Sequence, residues 1–509
     1  LTPIYASPMV DNGYDISDYR AIHPEMGSMD DFDELLACAH QKGIKVILDI
    51  VVNHTSTEHP WFQSAIQDKN SPYRDYYIWR KGQEGGAPNN WQSKFGGSAW
   101  AFDPKSEEYY LHLFAKEQAD LNWENPKVRQ EVESVLAFWA QKGVDGFRLD
   151  VINLISKDQR FLDDDNGDGR KFYTDGPKVH DYLQQISRHI FQKYQTATVG
   201  EMSSTSLEHC QRYSSSDGKE LSMVFNFHHL KVDYPNGEKW AASEFDFLAL
   251  KSIFNHWQRG LHDQGWGAIF WCNHDQPRVV SRFGCDGLYR EKSAKMLATS
   301  LHLMQGTPYI YQGEEIGMTN PGFEQIEQYR DVESLNYYQI LRELGKTQAQ
   351  AMAILKQKSR DNARTPMQWC AGKYAGFSQV APWIDLAHNA DEIHVEGALK
   401  RKDSVFYHYK NLIKIRKLLP VVTLGDYQDM ALEHPQVHAY QRKTQSQTLI
   451  VINNFYQSVC QFELPACWQD QSAVCVISND AQFQAQNCYQ LGKDIKLNPY
   501  QSCAFLVNH

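Results

Sequence analysis

The sequence predicts an α/β protein built on a (β/α)8 barrel, a TIM barrel, with a long insertion and a C-terminal antiparallel β domain. Three observations predict it. An amphipathic helix, a glycine stop and an apolar strand recur in that order. Each apolar strand ends in charged or amide side chains. After about residue 421 the pattern changes to short alternating segments.

The first helix spans 29–42 (MDDFDELLACAHQK), with apolar positions at helical spacing. Ser28 is its N-cap, Asp30 and Asp31 favour its positive end, and Gly43 stops it. The β-branched run IKVILDIVVNH follows. A hundred residues later the phrase returns as helix 126–142, Gly143 and VDGFRLDVI. The segments ATVGEM (197–202), GAIFWCNHD (267–275) and TPYIYQGEE (307–315) continue the series of strands. Strands apolar on both faces belong to a parallel sheet covered on both sides. Their polar ends are Asp49, Asn53 and His54; Arg148 and Asp150; Glu201; Asn273, His274 and Asp275; Glu314 and Glu315. Polar groups gathered at C-terminal strand ends are what a barrel active site requires. An open doubly wound sheet would more naturally show a Gly-rich phosphate turn after its first strand, and none is present. Residues 55–122 interrupt the series as an irregular lobe over the active-site mouth. VHAYQRK, QTLIVINNF and SCAFLVN read as antiparallel strands. The expected domains are 1–54 with 123–420, the insertion 55–122, and the β domain 421–509.

At 509 residues the chain is long enough for two or three domains, and 42% hydrophobic residues suit a large core. A net charge of −11 excludes broad binding to nucleic acid or to an anionic membrane, although one local basic pocket is compatible with it. The ten cysteines show no metal spacing and read as mostly free thiols of a cytoplasmic protein. No apolar run reaches membrane-spanning length, and no signal peptide is visible.

Four strand-end signatures, DIVVNH (49–54), GFRLDV (146–151), GEM (200–202) and NHD (273–275), resemble glycoside hydrolase family 13, the α-amylase family. The resemblance covers essentially the whole chain. It implies that Asp150 is the nucleophile and Glu201 the general acid/base of a retaining glycosidase, with Asp275 as a third carboxylate gripping sugar hydroxyls. Retention needs two carboxyl groups about 5–5.5 Å apart, one of them protonated. Arg148, two residues before Asp150, points to the same face of its strand. His54 and His274 resemble the two histidines that donate to sugar hydroxyls. VDNGYDISDY (10–19) and DNARTPMQW (361–369) are similar to the oligo-1,6-glucosidase branch, and QPRVVSRFG (276–284) fits it. That likeness implies an exo-acting pocket closed by Asp15 and Arg364, with Tyr14 as stacking platform. Val151 matches members that avoid α-1,4 links.

Within the branch, the stretch from SKDQRF to TDGP (156–177), VGEMSSTSLEHCQRY (199–213) and VFNFHHLKVDYPNGEKW (224–240) resemble the members that split α,α-trehalose 6-phosphate. His228, His229 and Lys231 are the candidate phosphate donors, with Arg170, Lys171 and Lys178 behind them; a basic run is otherwise a solvated face. The expected partner is thus a phosphorylated disaccharide, with no organic cofactor. DDDNGDG (163–169) lacks the Glu spacing of an EF-hand and reads as a solvated acidic loop, so no metal is carried over. The alternatives are an oligo-1,6-glucosidase acting on isomaltose-type sugars and, from another class, a non-catalytic glycosidase-like transporter subunit. LTPIYASP resembles the end of the family's second strand. By that likeness the barrel lacks its first βα unit, the insertion follows strand 3, and a chain with two open edges is expected to be unstable alone.

Overall fold

Helix α1 (Met29–Gln41) starts with a capping box. The Ser28 side chain accepts from the Asp31 N–H, and the Asp31 carboxylate accepts from the Ser28 N–H. Gly43, at φ +70°, follows the helix end, and strand β1 (Ile47–Val51) comes next. The phrase repeats at helix α2 (Pro126–Lys142). Its N-cap Asn125 accepts from the Lys127 N–H, Pro126 fills the first turn, and left-handed Gly143 ends it ahead of strand β2 (Gly146–Asp150). Strands β3 (Ala197–Met202) and β4 (Met223–Asn226) complete a parallel sheet of order β4-β3-β2-β1. Leu1 runs along β1: its ammonium donates to the Ile47 carbonyl at 2.8 Å, and its carbonyl accepts from the Asp49 N–H at 2.9 Å.

This computed structural model describes residues 1–83 and 85–509; Glu84, inside the insertion, lies outside them. The chain divides into two units, Leu1–Phe227 with Asp263–Trp266, and His228–His262 with Gly267–His509. In the first, the insertion expected to be irregular is structured. It holds a helix at Pro60–Gln67. It also holds an antiparallel sheet in which Glu108–Leu111 lies between Trp79–Arg80 and Trp100–Asp103, and a pairing of His54–Ser56 with Gln118–Asp120. Its aromatics supply the reason. Trp91, Trp100 and Leu111 share a core with Val151, Leu154 and Phe161, so the insertion folds against the segment that follows β2. Lys157, inside this unit, pairs with Asp120 at 2.8 Å and donates to Asn53 at 2.7 Å, all three buried.

The second unit corrects two expectations. The strands read at 267–275 and 307–315 are only β5 (Ala268–Ile269) and β6 (Thr307–Pro308), paired in parallel. Pro308 has no N–H for a ladder, and the Phe270 carbonyl is taken by the His229 ring at 2.8 Å. Beyond Asp426 lies a six-stranded antiparallel sheet. Its strands are β7 (Asp426–Asp429), β8 (Val437–Lys443), β9 (Gln447–Asn454), β10 (Ser472–Ser478), β11 (Cys488–Gln490) and β12 (Ser502–Asn508), in the order β7-β8-β9-β12-β10-β11. Val437, Ile450, Ile452, Cys503 and Phe505 build its core. Among the described residues no helix is long and apolar enough to cross a membrane, and the ten cysteines are free thiols.

Gly146 opens β2 where strands crowd. A Cβ there would stand 2.4 Å from the Ala197 carbonyl oxygen, a backbone atom unable to move aside. Gly146→Ala is therefore expected to destabilise the protein by about 1–3 kcal/mol, measured as a lowered urea midpoint; an unchanged midpoint would refute the crowding.

Candidate active site

Sheet register brings the first group of side chains together. Asp49 lies abreast of Arg148, and Val51 abreast of Asp150. Arg148 lies abreast of Val199, two residues before Glu201. Residues two apart share a face, so Asp49, Arg148, Asp150 and Glu201 project from the same side of the sheet.

Arg148 holds all three carboxylates. It donates to both oxygens of Asp49 at 2.7 and 2.9 Å, to Asp150 Oδ1 at 2.6 Å, and to Glu201 Oε2. A side-chain hydrogen bond also joins Glu201 to Asp150. Burial pushes the Asp150 carboxyl up to about 7, against the pull of Arg148; the charge of Asp49 adds to the rise, and the bond from Glu201 opposes it.

The backbone is bent to suit. Val151 sits in the left-handed region at φ 35°, ψ 41°, where a β-branched residue is a real outlier. From there its N–H donates to Glu201 Oε2 at 3.2 Å. Tyr14 donates its hydroxyl to Asp49 Oδ2 at 2.7 Å, and the Arg148 guanidinium lies 5.7 Å over its ring.

Two residues expected to contact substrate in this unit are engaged by protein groups. Asp15 is fully buried, and its oxygens accept from the Val10 and Asp11 N–H groups at 2.9 and 3.0 Å. It braces the turn and presents no surface to a sugar. Asp11, which the sequence reading passed over, accepts from the Gln118 amide at 3.2 Å, and its charge acts on His54. His54 is 1% exposed, with Nε2 on the Tyr14 carbonyl at 3.1 Å and Nδ1 beside the Asn53 amide at 3.2 Å. Burial lowers its basicity, so the ring is neutral and already engaged.

The second unit holds the third carboxylate. The Asn273 side chain accepts from the Asp275 N–H at 2.8 Å. Asp275 Oδ1 then accepts from Arg364 at 2.8 Å and from Arg360 at 3.2 Å, while His274 Nε2 lies 3.3 Å from Oδ2. Burial would raise this carboxyl, but His274, Arg360 and Arg364 together hold it well below the usual carboxylate range. Arg364 also donates to the His274 carbonyl at 2.7 Å, and Arg360 to Asp331 at 2.9 Å. Arg360 was not foreseen from the sequence.

The expected phosphate donors separate. His229 is buried against Phe254, Phe270 and Trp271 and bonds the Phe270 carbonyl. Burial lowers its pKa to about 4, so it is neutral and cannot serve as a cationic donor. His228 and Lys231 are half-buried, with the His228 ring 5.0 Å from Trp257. Arg170 is exposed and pairs with Asp168 at 3.1 Å; Lys171 pairs with Asp164 and Asp165, and Lys178 with Glu124. Among the described residues no cluster of three or more His, Cys, Asp or Glu could hold a metal ion.

Glu314, one of the expected strand-end acids, is turned into the protein. It accepts from the Tyr409 hydroxyl at 2.7 Å, and burial pushes its pKa up to about 7. A carboxyl raised in the folded state gives stability that is full below its unfolded pKa and lost as pH rises through the folded one. Glu314→Gln keeps the acceptor and removes that loss. The variant is expected to gain about 2–3 kcal/mol on the wild type between pH 4.5 and pH 8. Parallel denaturation curves at the two pH values check it; an equal difference at both would refute it.

The comparisons agree with this geometry. The family described as "Alpha amylase, catalytic domain" matches residues 1–425, and the "Alpha-amylase SusG C-terminal domain" matches 437–503. The trehalose-6-phosphate hydrolase of Bacillus subtilis is 56% identical over 99% of this chain and 90% of that protein. The trehalose-6-phosphate hydrolase of Escherichia coli is 60% identical over 90% of this chain and 83% of that protein. An oligo-1,6-glucosidase of Halalkalibacterium halodurans is 49% identical over 92% of this chain and 84% of that protein. Among solved structures, a mutant trehalose-6-phosphate hydrolase of Bacillus licheniformis matches with a TM-score of 0.96 and 56% identity, covering 100% of this chain and 92% of that one. With the catalytic-domain match spanning most of its length and relatives this similar, the chain belongs to the α-amylase family, glycoside hydrolase family 13.

Proposed function

We propose that the chain hydrolyses α,α-trehalose 6-phosphate to glucose and glucose 6-phosphate, retaining the configuration of the released glucose. The observation that carries the chemistry is one guanidinium binding Asp49, Asp150 and Glu201 while Asp150 and Glu201 share a hydrogen bond. A pair with one proton supplies the acid and the anion that retention needs. Glu201 gives its proton to the bridging oxygen, and the Asp150 carboxylate attacks the anomeric carbon. Glucose 6-phosphate leaves, and a glucosyl ester forms on Asp150. Glu201 then takes a proton from water, whose oxygen attacks the anomeric carbon and breaks its bond to Asp150; glucose departs and both carboxyls return to their starting state. Asp275, anionic at any working pH, accepts from sugar hydroxyls and favours the positively charged transition state.

The substrate follows from the relatives. Two trehalose-6-phosphate hydrolases, at 56% and 60% identity, exceed an oligo-1,6-glucosidase at 49%. His228 and Lys231 are the residues that suit an anionic sugar phosphate once His229 is set aside as neutral. The isomaltose-type reading is favoured only by the oligo-1,6-glucosidase relatives. Turnover on trehalose 6-phosphate, trehalose and isomaltose separates the two: a strong preference for the phosphorylated sugar is expected, and none would overturn the proposal.

Two variants test the roles. Asp150→Asn is expected to lower kcat by about 10⁴-fold or more with the fold retained by circular dichroism; near-wild-type turnover would remove Asp150 from the mechanism. Asp49→Asn deletes a negative charge that raises Asp150 and frees Arg148 to pull harder on it. Both effects make Asp150 easier to ionise, so the acid limb of the kcat/KM profile is expected to move to lower pH. A shift to higher pH would contradict the assignment.

A further inference from the structure

The strands that carry Asp150 and Glu201 part just beyond those residues, and one buried side chain spans the gap. The parallel pairing of β2 with β3 stops at Leu149 and Gly200. Val151 then enters the left-handed region, and the chain leaves the sheet as the 3-10 turn Ile152–Leu154. The β2 backbone therefore turns away before it could pair with the residues after Glu201. Asn153, fully buried in that turn, takes its place. Its side-chain carbonyl accepts from the Ser203 N–H at 3.0 Å, and its amide donates to the Ser203 carbonyl at 2.9 Å. A carboxamide offers the same donor and acceptor as a peptide unit, so the side chain continues a ladder that the backbone has left. The amide also donates to Asp175 Oδ1 at 3.1 Å. With Nδ2 facing two oxygens and Oδ1 facing an N–H, the carboxamide has one satisfied orientation. Asp175 is itself placed: its N–H donates to the Asn153 carbonyl at 3.0 Å, and the Tyr213 hydroxyl donates to Oδ1 at 2.7 Å.

We infer that Asn153 is a positioning residue: it pins Ser203, two residues beyond Glu201, to the segment just beyond Asp150, and so sets how Glu201 meets the bridging oxygen. The inference rests on the roles proposed for Asp150 and Glu201. Packing says which side would move without the clasp. Ile152, Leu154 and Ile155 are buried and hold the turn after Asp150 in place, whereas Ser203 and Ser204 are half-buried. Loss of the amide thus frees the Glu201 side and leaves Asp150 where it is. Proton transfer needs hydrogen-bond reach, so a displacement of about 1 Å in the acid is enough to cost about 100-fold in rate.

The test compares kcat/KM of Asn153→Ala on trehalose 6-phosphate, phenyl α-glucoside and α-glucosyl fluoride, with the fold checked by circular dichroism. A sugar or phenol oxygen departs with a proton from Glu201. Fluoride departs as an anion while Asp150 bonds the anomeric carbon, and needs no proton. Asn153→Ala is expected to lower kcat/KM about 100-fold on the first two substrates and less than about threefold on the fluoride. Equal losses on all three, or none on any, would overturn the inference. In a Glu201→Gln background, Asn153→Ala should cost less than about threefold more on phenyl α-glucoside, because the group it positions no longer gives a proton; a further loss as large as in the wild type would also overturn it. If Asn153→Ala does not fold, Asn153→Asp, which fills the same space and loses the amide donors, gives the same comparison. Glu201→Gln alone should already spare the fluoride. Equal losses on all three substrates in that variant would strike at the acid role of Glu201 instead, and phenyl α-glucoside keeps the outcome independent of any preference for a phosphorylated sugar.

Discussion

Everything in the first unit's site depends on one guanidinium. Arg148 is nine-tenths buried and would be costly there without partners. Three carboxylates surround it, and three anions on one cation would be two charges in excess. Burial and the charge of Asp49 push the Asp150 carboxyl up, and a hydrogen bond joins it to Glu201, so the excess is met by a raised proton affinity within the cluster. In the proposed mechanism an acid and an anion facing the same bond need such an affinity.

The cost of this arrangement appears in the backbone beside it. Val151 occupies a left-handed conformation that a β-branched side chain avoids, and its N–H consequently points at Glu201. What keeps it there is packing. Val151 is in the core that the insertion builds with Trp91, Trp100, Leu111 and Phe161. The insertion's aromatic core thus holds the bend that aims an amide at Glu201. Gly200, just before Glu201, meets the same demand for space, since a Cβ there would stand 2.5 Å from Leu221 and 2.6 Å from Met202.

How much of this could be read from the sequence follows from periodicity. Arg148 and Asp150 share a strand with period two, so their common face was legible, as were the caps at Ser28 and Gly143. Asp11 and Asp15 lie in one turn, VDNGYD, where Asn12 and Gly13 both have positive φ; no period operates there, so the sequence could not show which carboxylate the turn would enclose. His228 and His229 are adjacent in a 3-10 turn, so one basic dipeptide sends its rings in different directions, and composition could not show that His229 would spend its nitrogen on a carbonyl. Arg360 stands four residues before Arg364 in a segment read only for the second arginine. The short ladders of β5 and β6 were overestimated because apolar runs do not reveal where Pro308 and a side chain intercept the backbone hydrogen bonds.

The two units carry opposite electrostatic solutions, and the contrast fits the roles proposed for their carboxylates. In the first, one cation serves three acids, and Asp150 is pushed up toward neutrality. In the second, two arginines and a histidine serve Asp275, and its carboxyl is held far below the usual range. Environments that drive like groups apart separate proton carriers from permanent anions. A group that titrates near neutrality can belong to a pair that exchanges a proton with substrate and water. A group that never titrates can only attract, orient and accept hydrogen bonds. Exchanging the two environments would defeat both proposed tasks, because an Asp275 that took up a proton would lose its hold on Arg360 and Arg364, and an Asp150 clamped by two arginines would suit the proposed role of nucleophile poorly.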